Sequence, residues 1–309
     1  MIRTSQFINV YIQRYSIRNS LTGKVIDGRV VSSSVTSRVK SSVKKLKEDD
    51  IIHPCLATVL VGNDPASSTY VNSKQRAASD VGISTCDHKL ESTISQKELI
   101  DLVISLNSDP GIHGILIQLP LPNHIDEFTV INTISPLKDV DGLTPTNAGM
   151  LLSGKAVLKP CTPLGIMELL DYYNIKVESI DSVIVNRSNL VGKPLAILLL
   201  ERNATVMMCH SKSTNLVDKL KSAELVVTAV GNRERFTLKN NMVKDGAIVI
   251  DVGTSRHRGR VAGDVEDFQS MKEKVSWITP VPGGVGPMTI AMLLNNTVFA
   301  ASLSKAPIK

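Results

Sequence analysis

Aromatic residues are scarce in this chain: 4% of its 309 residues, with a single tryptophan. Val, Ile and Leu must therefore fill the core, within a hydrophobic content of 42%. No apolar run approaches the ~20 residues that span a bilayer, so no membrane is expected as a partner. Cysteine is sparse too, at Cys55, Cys86, Cys161 and Cys209. No two of these make a CxxC pair, which argues against a zinc knuckle or a disulfide framework and for free thiols in a reduced compartment. The histidines lack HExxH spacing, and no metal is expected.

Acid is missing from Met1 to Ile26, where Arg3, Arg14, Arg18 and Lys24 sit among serines. That composition suits an organelle transit peptide, giving a mitochondrial location. The preferred reading is an unstructured extension of a cytoplasmic protein, with residues 1–23 set apart from the folded part. Net charge over the whole chain is +6. Yet no long basic run occurs, and aromatics for base stacking are few, so nucleic acid is not the expected partner. A basic surface that concentrates a small anionic ligand accounts for the charge.

What is present is alternation. Val31–Lys47 reads as a basic amphipathic helix and Leu56–Val61 as a buried strand. Asn63-Asp64-Pro65 starts a helix that Gly82 stops. Ile94–Asn107 reads as a helix, Ile112–Gln118 as a strand and Pro163–Tyr173 as a helix joining two lobes. A second series follows: strands at 182–185, 204–209, 225–229 and 247–252, helices at 194–202 and 216–221, and a last helix over 289–302. Parallel strands need crossover connections, so the pattern predicts an α/β protein with a doubly wound sheet.

The turn Asn186-Arg187-Ser188-Asn189-Leu190-Val191-Gly192 leads from a strand into a helix, where a dinucleotide's phosphates would sit. It lacks GxGxxG and is a weak signal alone. The next strand ends in His210-Ser211-Lys212, where an NAD site usually carries an acid. Hydroxyl and cation there suit a 2′-phosphate, as does Arg187. A solvated loop is the plainer reading. Tyr70 and Lys74 share a helix face. This Tyr-x-x-x-Lys pair precedes the nucleotide turn, opposite to its order in short-chain dehydrogenases. Gln118 ends an apolar strand, and Lys138-Asp139-Val140-Asp141-Gly142 is a compact acidic turn lacking the further oxygen ligands of a calcium loop.

Together these pieces resemble the bifunctional methylenetetrahydrofolate dehydrogenase/methenyltetrahydrofolate cyclohydrolase family, from about Lys24 to Ser302. The pieces that carry the resemblance are Tyr70-Val71-Asn72-Ser73-Lys74, Gln118-Leu119-Pro120-Leu121-Pro122, Lys138–Gly142, Arg187-Ser188 with Val191-Gly192, and Thr279–Thr289. The resemblance implies two lobes with a cleft between them. A folate-binding catalytic lobe over 24–160 is completed by the helix 288–303, and a Rossmann NADP-binding lobe covers 161–287. It implies a homodimer paired through the Rossmann lobes, with tetrahydrofolate derivatives as substrates and NADP as cofactor.

By the same resemblance, Lys74 is the central catalytic residue, Gln118 contacts it, Tyr70 orients the folate and Asp141 anchors the pterin. Ile117, Leu119, Pro282, Gly283, Gly284 and Gly286 line the folate site. Asn186, Arg187, Ser188, Gly192, His210, Ser211 and Thr254 hold the cofactor. Lys74 is expected to act as an uncharged amine, helped by a hydrogen bond donated from the Gln118 amide. The chain departs from the family at Asn186 (usually glycine), Thr254 (usually an isoleucine-like residue) and Arg233 (commonly proline). All three lie on the cofactor side. A protein with good cyclohydrolase and weak dehydrogenase activity is therefore the alternative, and a non-catalytic folate- or nucleotide-binding protein is a more distant one.

Overall fold

The computed structural model describes residues 22–257 and 259–304. Most of the acid-free N-terminal segment, with its transit-peptide reading, lies outside them. The chain forms two compact units. One contains the described residues up to Asp27 together with Glu178–Asn186 and Ala204–Gly284. The other contains Gly28–Val177, Arg187–Asn203 and the described residues from Val285 onward.

The first unit is built on a six-stranded sheet. Its spatial order is Lys24–Val25, Trp277–Ile278, Ile248–Asp251, Leu225–Thr228, Asp181–Val185 and Thr205–Cys209. Every pairing in it is parallel. The inner strands Leu-Val-Val-Thr and Ile-Val-Ile-Asp are almost wholly buried, as expected for strands covered on both faces. Val183, Val226, Val249 and Ile278 pack there with Leu220 and Met271. Val183 pairs with Met207 on one side and Val226 on the other. From Asp181–Val185 the chain goes outward to the edge strand, then returns to the opposite side at Leu225. The strand order thus reverses between Asp181–Val185 and Leu225–Thr228, the place where such sheets bind ligands at their carboxyl ends.

The second unit carries a three-stranded parallel sheet with Cys55–Val61 between Ser84–Leu90 and Gly114–Ile117. Helix Gly28–Asp49 buries Val31, Val35, Val39, Val43 and Leu46, a stripe at helical spacing. It packs on the long helix Val285–Leu303, as does Cys161–Tyr172. The helix expected to join two lobes is therefore a member of this unit. Helix Pro65–Val81 begins where Asp64 accepts from the Ser67 amide at 2.7 Å. It ends at Gly82, whose φ of +85° makes a left-handed stop, a conformation glycine adopts without steric penalty.

Several elements escaped the sequence reading. Strand Ser84–Leu90 and the short helices Glu127–Thr133 and Pro145–Leu152 are among them. So are the hairpin Ser255–His257/Arg260–Ala262 and the two-residue strands at 24–25 and 277–278.

Candidate active site

Within the second unit, helix Pro65–Val81 presents Tyr70 at the surface and Lys74 buried, 8% exposed. A lysine this buried needs a partner for its N–H groups. Its Nζ donates to Gln118 Oε1 at 3.1 Å. Gln118 follows the buried strand Gly114–Ile117, held by its amide donating to Val59 O at 2.9 Å. The expected polarity of this contact is reversed. The Gln118 Nε2 is occupied in donating to the Leu119 carbonyl at 2.8 Å, so the oxygen faces the amine and the amine is the donor. Ile117 is buried in the hydrophobic core of this unit and Leu119 is half-buried.

The acidic turn sorts its charges by task. Lys138 Nζ donates to the carbonyls of Leu106, Asn107 and Asp109 at 2.7–3.1 Å. It thereby satisfies the last carbonyls of helix Gln96–Ser108. Asp139 is buried and accepts from the amides of Leu143 and Thr144 and from Asn147 Nδ2, which locks the turn. Gly142 has φ +68°, and a Cβ there would lie 2.6 Å from the Lys159–Pro160 backbone. Asp141 is the acid left to meet a ligand. Burial pushes its carboxyl above the usual range, opposed by the positive charge of Lys74 and by a hydrogen bond with Cys161.

Two residues that sequence reasoning missed hold this carboxylate's surroundings. Cys161 is buried, and its Sγ donates to Val140 O at 3.3 Å. Burial first, then Asp141, pushes its thiol well up. Asn296, on the last helix, donates to Val140 O at 2.8 Å and Lys159 O at 2.9 Å. A polar residue among the buried apolar positions of the last helix was the available signal for Asn296.

Of the nucleotide candidates, Asn186, His210, Ser211 and Thr254 belong to the first unit, and Arg187, Ser188 and Gly192 to the second. At the strand-order reversal, Asn186 Nδ2 donates to Ala229 O at 2.7 Å. Asn186 is not among the left-handed residues, so the turn here does not use the positive φ that glycine would permit. The edge strand ends in a turn where His210 N donates to Ser213 Oγ at 2.9 Å and Lys212 N to His210 Nδ1 at 3.2 Å. That closure shapes the turn and leaves Ser211 and Lys212 exposed, with no acid among residues 210–213. Thr254 is exposed after strand Ile248–Asp251. Gly283 has φ +108°, and a Cβ on Gly284 would lie 2.5 Å from Pro280 O. Pro282 and Gly286 are exposed.

Between strand and helix, Arg187 is exposed and Ser188 Oγ accepts from the Val191 amide at 3.1 Å. Helix Gly192–Leu200 then begins without a side-chain cap, its buried Gly192 at the first turn. Lys193 N donates to Ser188 O at 3.1 Å and Pro194 has no N–H, so it is the helix dipole that favours an anion at such an end. Arg233 makes three bonds to carbonyls, from Nη1 to Gly263 O and Val265 O and from Nη2 to Glu266 O.

A parallel sheet with a strand-order reversal, carried in one chain with a buried lysine–amide pair beside a carboxylate, defines a dinucleotide-using enzyme of the α/β class. Residues 26–141 match the tetrahydrofolate dehydrogenase/cyclohydrolase catalytic-domain model, and 160–305 match the NAD(P)-binding-domain model of the same family. The bifunctional protein FolD of Nitrosopumilus maritimus is 57% identical over 284 residues, 92% of this chain and 98% of that protein. The crystal structure of the bifunctional enzyme FolD from Campylobacter jejuni aligns with TM-score 0.87 and 45% identity, covering 91% and 99% of the two chains. The Trypanosoma brucei enzyme, solved with NADP cofactor and inhibitor, aligns with TM-score 0.87 and 35% identity over 92% and 99%. The chain belongs to the tetrahydrofolate dehydrogenase/cyclohydrolase family.

Proposed function

We infer that this protein oxidises 5,10-methylenetetrahydrofolate to 5,10-methenyltetrahydrofolate with NADP and hydrolyses the product to 10-formyltetrahydrofolate. The observation that carries the hydrolytic half is the buried Lys74 amine aimed at Gln118, with Asp141 electrostatically coupled to it. Family membership and the sheet carry the oxidative half.

For the cofactor, the residues fit. The strand-order reversal provides a dinucleotide crevice. His210-Ser211-Lys212 offers donors and charge without a competing acid, which favours a 2′-phosphate. Arg187, Ser188 and Gly192 suit phosphate oxygens, Asn186 shapes the turn entry, and Thr254 lies after a central strand, on the nicotinamide side. NADP, when bound, accepts the hydride from the methylene carbon. The protein's task in that step is alignment, because the folate nitrogens stabilise the cation that forms.

In the hydrolytic step a water attacks the methenyl carbon, the C=N electron pair returns to nitrogen, and Lys74 takes the proton the water loses; the C–N5 bond then breaks and a proton is delivered to N5, leaving the formyl group on N10. Gln118 Oε1 holds one N–H of the amine, which directs the lone pair elsewhere, toward the water. The cationic substrate disfavours a second positive charge beside it. Asp141 binds the pterin's N–H groups, and Tyr70 packs on the folate. Ile117, Leu119, Pro282, Gly283, Gly284 and Gly286 form the rest of its surroundings. The folate's carboxylate tail is drawn by the net positive charge.

The domain limits proposed with this reading are 24–160 with 288–303 for folate and 161–287 for nucleotide, although 161–177 and 187–203 cluster with the unit that carries Lys74. A homodimer paired through the nucleotide lobes and a cytoplasmic location complete it, with a mitochondrial location if residues 1–26 are a transit peptide. A spectrophotometric assay tests the function. Methylenetetrahydrofolate plus NADP should produce NADPH and methenyl absorbance, followed by decay of the methenyl signal. Decay of added methenyltetrahydrofolate without any NADPH formation would restrict the protein to the hydrolytic half.

A further inference from the structure

Two buried carboxylates in the first unit serve no role in the chemistry above. Asp251 ends strand Ile248–Asp251 and is 2% exposed; Asp264 is 0% exposed. Burying charge is expensive unless hydrogen bonds answer it. Both acids are answered almost entirely by backbone. Asp264 accepts from the amides of Val230 at 2.7 Å and Gly231 at 2.9 Å. Asp251 accepts from Gly253 and Asp264 at 2.9 Å and from Val265 at 2.8 Å.

These amides belong to three loops. Residues 229–231 follow strand Leu225–Thr228, residues 252–254 follow Ile248–Asp251, and 263–265 close the hairpin. The acids bind the loops to one another at the carboxyl edge of the sheet. Space admits no alternative. A Cβ on Gly253 would lie 2.3 Å from the Asp264 carboxyl carbon, and one on Gly263 would lie 2.1 Å from Asp251 Oδ2. Gly231 has φ +64°, and its Cβ position is 3.2 Å from Thr254 O. Arg233 completes the knot from outside through its bonds to Gly263, Val265 and Glu266. Its charge also opposes the strong upward push that burial gives Asp264.

In a doubly wound sheet the two halves of a dinucleotide lie on opposite sides of the strand-order reversal. The turn at His210–Lys212 lies on one side. Strands Leu225–Thr228 and Ile248–Asp251 lie on the other, so their loops face the reacting end. We propose that Asp264 is a positioning residue for hydride transfer, fixing the Val230–Gly231 and Gly253–Thr254 loops that receive the nicotinamide. Asp251 holds Asp264 in place, and Arg233 clamps the loop that carries it. Asp264 touches neither substrate. It acts through the backbone amides it holds, and the hydrolytic residues Lys74, Gln118 and Asp141 do not depend on it.

This rests on the dehydrogenase reading above, and the test separates the two. Wild type, Asp264→Asn and Asp264→Ala are assayed for NADP-dependent oxidation and, on the same preparations without NADP, for methenyl hydrolysis. Asn keeps one acceptor and Ala none, so the losses should be graded. A misplacement of this kind costs up to about 10²-fold in the hydride step. The NADP KM should rise and the oxidative kcat fall, while hydrolysis and the folate KM hold. Gly231→Ala leaves both acids intact but crowds Thr254, and should show the same selective loss; this arm stands if the Asp264 variants fail to fold. Equal loss of both activities would make Asp264 a general stability residue and overturn the proposal. So would unchanged NADP kinetics in a dehydrogenase-active protein. A wild type that forms no NADPH overturns the function reading itself, and this inference with it.

Discussion

Lys74 and Gln118 meet with the amine as donor, Nζ to Oε1 at 3.1 Å, because the glutamine's own N–H groups are committed to the Leu119 carbonyl. Gln118 therefore orients the amine without supplying it a proton. A neutral acceptor tolerates either protonation state of the lysine, which a base in turnover must pass through. A carboxylate in the same place would not.

Gln118→Glu follows directly. A carboxylate beside Lys74 pairs with the amine as an ion pair and holds it as a donor, so methenyl hydrolysis should fall while NADP binding holds. Hydrolysis rates of wild type and Gln118→Glu, measured beside an NADP titration, check this. Unchanged hydrolysis would mean that the neutral amide is not what orients Lys74.

Asp141 gives a pH test. Burial raises its carboxyl and Lys74 lowers it. Removing the lysine charge therefore raises it further. If ionised Asp141 anchors the pterin, folate affinity is lost as pH falls through that titration. Lys74→Met should move the acid limb of folate binding to higher pH, as read by titrating a folate analogue at several pH values.

Asn296 ties the last helix to the Asp141 turn through Val140 O and Lys159 O. Asn296→Leu leaves the Lys159 carbonyl without this donor and Val140 O with only the Cys161 thiol. An unsatisfied buried group costs about 1–3 kcal/mol, so the melting temperature should drop and the folate KM should rise as the turn loosens. A melting curve beside a folate titration checks both effects.

The buried acids of the first unit predict a stability profile. Desolvation, assisted by Asp264 and opposed by the amides of Val265, Asp264 and Gly253, pushes Asp251 from 3.8 up to about 6. Arg233 is the cation facing the pair, acting on Asp264. A folded value above the unfolded one means the native state binds the proton more tightly. This contribution is fully present below about 4 and fades as pH rises through about 6. Denaturant titrations of wild type and Asp251→Asn should show the wild type gaining on the variant between pH 7 and pH 4, by at most about 3 kcal/mol. A pH-independent difference would contradict this.

How legible all this was depended on local signals. Both ends of helix Pro65–Val81 were readable because Asp64, Pro65 and Gly82 mark them chemically. The inner strands were readable as short, continuous apolar runs. Strand Ser84–Leu90 was not, since it is an edge strand that mixes the exposed Ser84, Asp87 and Lys89 with half-buried residues. Helices Glu127–Thr133 and Pro145–Leu152 are too short for a periodic stripe, although Asp126 and Thr144 cap them. Tyr70, Lys74, Gln118 and Asp141 were picked out by resemblance, but the sequence does not say which atom of Gln118 faces the amine. Asp251 and Asp264 escaped because each reads locally as a turn acid. Their burial arises only when loops distant in sequence close over them.

Methenyl hydrolysis by Lys74→Met, measured without NADP against wild type at neutral pH, tests the central claim most directly. A positioned general base contributes ~10²–10⁴-fold, and the account predicts a loss of that order, with NADP binding retained. Full turnover in the variant would contradict it.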